Sequence, residues 1–76
     1  MNNERRKQIA AAVAAIGAAR DELEQAAADE QNAFDNLPEA IQDSERGQKM
    51  DENANEILDA AAEIGEALSQ IEYAAE

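Results

Sequence analysis

Residues Met50–Glu76 read MDENANEILDAAAEIGEALSQIEYAAE, and the placing of their apolar side chains decides the fold. Met50, Ala54, Ile57, Ala61, Ile64, Leu68, Ile71 and Ala75 follow one another at alternating steps of four and three. That spacing lays one continuous stripe along a helix that packs on another helix. No charge interrupts the stripe, whereas the rest of the segment from Asp51 onward holds eight acids and no base. A helix over about 45–75 is predicted, dry on one face and acidic on the others.

Upstream, a second stripe reads Ile9, Val13, Ile16, Arg20, Leu23, Ala27, Glu30 and Phe34 at the same alternating steps, predicting a helix over about 4–36. Between the two lies a connector, 37–44. Pro38 disfavours helical geometry at Leu37, Asn36 suits a helix end, and Asp43 or Ser44 can cap a new helix. Pro38–Gln42 is predicted to form one turn with proline first, so that Leu37 and Ile41 cover the end of the helix pair. In an antiparallel hairpin the numbers of facing residues add to a constant. A constant of 84 brings all eight stripe positions into register, from Ile9 with Ala75 to Phe34 with Met50. The expected fold class is all-α: an antiparallel, coiled-coil-like two-helix hairpin forming a single domain over 1–76.

Only 12 of the 76 residues are Leu, Ile, Val or Phe, against 19 alanines, so such a rod has a thin core. With no disulfide or metal to supplement it, self-association is expected to complete a helical bundle, most simply a four-helix dimer. The surfaces flanking the stripes are Ala12, Ala19, Ala26 and Ala33 on the first helix and Leu58, Gly65 and Ala67 on the second. Gly17 and Gly65 cost a helix about 1 kcal/mol each relative to alanine, which points to close backbone approach there. Gly47 is expected only to weaken the first turn of the second helix.

Eighteen acids against six bases give a net charge of −12, which disfavours nucleic acid and anionic lipid as direct partners. The absence of Cys and His removes thiol and imidazole chemistry together. Paired acids such as Glu63 and Glu66 are helix neighbours without a sheltered pocket, so no catalytic residue, cofactor or metal is expected. Asp51, Asn53, Asn55 and Asp59 imitate the start of a calcium loop. Glu56 and Ala62 replace its turn glycine and its bidentate acid, and the helical stripe runs through it. No apolar run spans a bilayer; the chain reads as soluble and unprocessed.

Three groups of polar residues are candidates for function. Arg5, Arg6 and Lys7 stand in the first turn of the first helix, where the helix dipole disfavours cations. The hairpin register sets them beside Glu72 and Glu76, as a charge clamp or, alternatively, an anion-binding arm. Arg20 interrupts the first stripe with Glu24 and Glu63 in reach, which suits a register-fixing polar residue. The acidic faces are either solvated surface or a contact for a basic groove that otherwise takes nucleic acid. The connector gathers Phe34, Asn36, Gln42, Ser44, Arg46 and Lys49, as a capped hairpin end or as a recognition site.

At that connector the chain resembles a group of short, acidic, uncharacterised bacteriophage and prophage proteins. They carry a similar F-D-N-L-P-E-x-I-Q-x-S-E-R-G-x-K-M segment between two acidic helices, after an E-R-R-K-like start that matches Glu4–Lys7 here. This chain departs from them in its alanine content. The resemblance implies a phage-type accessory protein in the cytoplasm of a bacterial host, and no activity. The leading expectation is a non-enzymatic, counter-defence inhibitor that occupies a host protein through its acidic faces and connector. The alternatives are a homo-oligomeric sponge for a small anionic signal such as a nucleotide, and a purely structural helix-packing protein.

Overall fold

The computed structural model describes every residue from Met1 to Glu76. It contains helices and no strand: α1 over Asn3–Asp35, the single turn α2 over Glu39–Gln42, and α3 over Glu45–Ala74. α1 and α3 pack side by side as a hairpin with principal extents of 58 × 15 × 12 Å. The radius of gyration is 17.3 Å, against about 11 Å for a compact chain of this length. The molecule is a rod.

Both long helices begin at side-chain caps. The Asn2 side chain accepts from the Arg5 N–H at 2.8 Å, and the Ser44 Oγ accepts from the Gly47 N–H at 3.3 Å. Each cap satisfies a donor that the first turn leaves free. Pro38, with φ −56° and ψ 146°, precedes α2 and is not its first helical residue, one position away from the sequence expectation. Leu37 is half-buried, while Ile41 remains exposed and contributes through its carbonyl.

The core is small. Ala27, Ala54, Ala61, Leu68 and Gly47 are the buried residues, and Leu68 is the one large side chain among them. The helices meet along the predicted stripes, to which the buried Ala27, Ala54, Ala61 and Leu68 all belong. A Cβ on Gly17 would lie 4.0 Å from Leu68 Cδ1, and one on Gly65 would lie 3.6 Å from Arg20 Nη1. These pairs obey the antiparallel register to within one residue. Within the stripes, Ile16 and Leu23 are each 40% exposed and Ile71 is 36% exposed. The cause is geometric. A straight helix drifts by about 20° per heptad from a strict seven-residue seam. Ala27, Ala54 and Ala61 fill the line of contact itself, and the larger residues beside it keep part of their surface.

Candidate interaction surfaces

The connector is built by hydrogen bonds that tie α1, α2 and α3 into one end. Gln42 reaches back from α2 and donates its Nε2 to the carbonyls of Phe34 at 3.1 Å and Asp35 at 3.3 Å. Both are last-turn acceptors of α1, and the Phe34 carbonyl also accepts from the Leu37 N–H at 3.0 Å. Ser44 Oγ donates to the Ile41 carbonyl while accepting from Gly47, and Gln48 Nε2 donates to the Asp43 carbonyl at 3.4 Å. Gly47 is buried because the α2 backbone lies on it. A Cβ there would stand 2.6 Å from the Gln42 carbonyl oxygen and 2.8 Å from Gln42 Cα, with the Ile41 carbonyl closer still.

The six connector candidates therefore divide. Gln42 and Ser44 spend their polar atoms on the hairpin end itself, and Phe34 is half-buried with its carbonyl held by Gln42. The side chains of Asn36, Arg46 and Lys49 are exposed and make no hydrogen bond or ion pair; Arg46 engages none of Asp35, Glu39 and Asp43. Sequence reading missed Gly47, whose importance comes from a neighbour five residues back. The nearest signal was its place in the Ser-Glu-Arg-Gly segment directly after the connecting turn.

At the open end, Arg6 Nη2 donates to the main-chain oxygen of Glu76 at 3.4 Å, while Arg5 and Lys7 are exposed and unpaired. An open trough of about 370 Å³ runs between the helices there, lined by Ile9, Ala10, Val13 and Ala14 from α1 and by Glu72 and Ala75, with Arg6 at its edge. A second trough of about 370 Å³, nearer the connector, is lined by Glu30, Asn53, Glu56, Ile57 and Ala60.

Arg20 is half-buried and held by acids of its own helix, with Asp21 Oδ1 3.2 Å from Nη2 and Glu24 Oε1 3.8 Å from Nε. Asp21 takes the place expected for Glu63. The guanidinium lies over Gly65, whose missing side chain leaves it room. These two are the ion pairs of the molecule. The segment Asp51–Ala62 is continuous helix within α3, so its oxygens follow a helical spiral and do not converge as in a calcium loop. No group of three or more Asp or Glu side chains is placed to hold a metal ion, and no helix is long and apolar enough to cross a membrane. Compared with known proteins, the chain matches no protein family, no curated protein and no solved structure.

Proposed function

We propose that this chain is a non-enzymatic binding protein of the phage-accessory kind, which occupies a basic surface on a bacterial host protein in the cytoplasm, as a counter-defence inhibitor would. The observation that carries this reading is the unneutralised charge. Apart from Asp21 and Glu24, which share Arg20, no acid of the chain has an ion-pair partner, and the excess is strung along a 58 Å rod. A net charge of −12 over that length is one charge in about 5 Å, sparser than the one in about 1.7 Å of duplex DNA. The rod thus attracts a basic groove through its summed field and does not copy a duplex phosphate by phosphate.

Arg46 supplies the test. Its side chain makes no bond within the chain, so replacing it with alanine leaves stability within about 0.5 kcal/mol of the parent. If the connector is part of the contact, a partner captured from bacterial lysate binds Arg46→Ala more weakly by ~2 kcal/mol or more. Unchanged binding by Arg46→Ala, together with unchanged binding by amide variants of the acidic faces, would sink the reading.

The exposed, unpaired Arg5, Lys7, Arg46 and Lys49 favour the second reading, a sponge for a small anionic nucleotide. Calorimetric titration with nucleotides separates the two. On either reading we infer that the rod completes its core by associating with itself, since one large side chain is a meagre core for a domain of this size.

A further inference from the structure

We propose that one flank of the rod, carrying Ile16, Leu23, Ile57, Ile64 and Ile71, is its interface with a second copy of this chain, the two rods lying head to tail about a twofold axis perpendicular to their length. This rests on the reading of the chain as self-associating, and adds the face and the symmetry.

The two flanks of the hairpin differ. Gly17 lies against the end of Leu68 and Gly65 against the end of Arg20, so on the glycine side each helix receives a long side chain of the other. Ala10, seven residues before Gly17, and Glu72, seven after Gly65, line one trough, which shows that these positions of both helices share a side. Ile16 and Ile64 each precede a glycine and lie on the other side. The second trough confirms that sharing, because it joins Glu30 to Ile57, positions at heptad steps from Leu23 and Ile64. Ile16, Leu23 and Ile71 stand partly exposed there. At the intervening heptad positions this flank holds nothing but alanine, from Ala12 to Ala26 on α1 and from Ala60 to Ala74 on α3. At about 1.5 Å per residue the uncharged stretch is roughly 25 Å long. Leu58, seven residues before Gly65, lies on the opposite flank as a single exposed leucine.

Area and charge both select a second copy. The chain exposes 5657 Å², about 1,100 Å² more than a compact monomer of its mass. A stable interface takes about 800 Å² from each partner, so the excess is enough for one. The same flank ends in Arg5 at the open end and in Glu30 at the connector end. A twofold axis across the rod at the level of Ile16 superposes the apolar stretches and brings Arg5 of each copy within about a turn of Glu30 of the other. An axis along the rod would instead stack the acidic connector halves on each other. The self-complementary face is what a closed twofold dimer requires.

Sedimentation equilibrium tests the proposal. The parent chain should sediment at twice 8.2 kDa. Ile16→Glu and Ile64→Glu should each weaken the dimer about thirtyfold or more, while Leu58→Glu leaves it unchanged. Arg5→Glu should weaken it at low salt, and adding Glu30→Arg should restore it. Should Ile16→Glu fail to fold, Ile16→Cys serves in this cysteine-free chain: a short bis-maleimide should join two copies through it, and not through Leu58→Cys. A parent chain that stays monomeric at micromolar concentration overturns self-association itself. A dimer broken by Leu58→Glu and not by Ile16→Glu overturns the face alone, and failure of the Arg5 and Glu30 exchange overturns the head-to-tail symmetry.

Discussion

Leu68 is the single large side chain buried in the hairpin, and the residue facing it is Gly17, with 4.0 Å between Leu68 Cδ1 and the place a glycine Cβ would take. That distance is ordinary van der Waals contact, so the seam there has room for a methyl group. Gly65 has similar room, its Cβ position lying 3.6 Å from the end of the Arg20 side chain. Since glycine costs a helix interior about 1 kcal/mol relative to alanine, Gly17→Ala and Gly65→Ala should each stabilise the chain by up to ~1 kcal/mol. A higher thermal midpoint by circular dichroism is the expected reading; a lower one would mean that the helices approach more closely than these distances allow.

The third glycine behaves in the opposite way. Gly47 has a negative φ, so its backbone would accept any residue, and the obstacle to a side chain is purely the α2 backbone beside it. Gly47→Ala gains helix propensity yet drives a methyl into two carbonyl oxygens that cannot step aside. A net loss of about 2 kcal/mol is expected in urea unfolding. Unchanged stability would show that α2 moves off α3 at little cost.

Gln42→Ala should remove the donor that serves the Phe34 and Asp35 carbonyls. The expected cost is ~1 kcal/mol, small because the Phe34 carbonyl keeps the Leu37 N–H and the exposed Asp35 carbonyl can turn to water. Gln42→Glu should cost at least as much, since a carboxylate has no proton to offer them. If Gln42→Glu instead matches the parent in denaturant midpoint, the amide is not the tie between α1 and α2.

Salt is expected to stabilise this protein. With 16 acids unpaired, like-charge repulsion along the rod opposes folding, and raising ionic strength from about 0.01 M to about 0.15 M shortens the screening length from about 30 to about 8 Å. The thermal midpoint should climb over that range in sodium chloride. A falling midpoint would mean that the ion pairs of Arg20 outweigh the repulsion.

The hairpin was legible because it depends on where charges are absent, and the stripe of α3 admits none. The face turned outward was less legible for a reason visible at Ile16 and Gly17. Adjacent residues are 100° apart on a helix, and a heptad template treats the seam as straight while an actual helix drifts across it. Within the stripes, the alanines at 27, 54 and 61 are fully covered while the larger Ile16, Leu23 and Ile71 keep part of their surface exposed. Leu58 illustrates the same limit: it stood out as a large residue off the stripe, yet Ile64 and Ile71 on the other flank form the larger apolar surface. In the connector, Ser44 could be read from its position as a cap. Gln42 and Gly47 could not, since each acts on backbone that only the folded turn of α2 brings near. The charge of Arg46 was plain in the sequence, whereas its lack of any partner needed coordinates.

The buried positions are also unevenly distributed along the rod. Gly47, Ala54 and Ala27 belong to the half nearer the connector and Ala61 lies near the middle, while Leu68 alone is buried well toward the free end, where Arg6 and Glu76 share one long hydrogen bond. Local opening costs least where the fewest contacts must be broken, so the hairpin unzips from its free end and holds at its connector. Amide exchange should accordingly quicken from Ala54 toward Tyr73 along α3. Mechanically the molecule is a pair of tongs held at the α2 turn, with its weakest closure where the two termini meet.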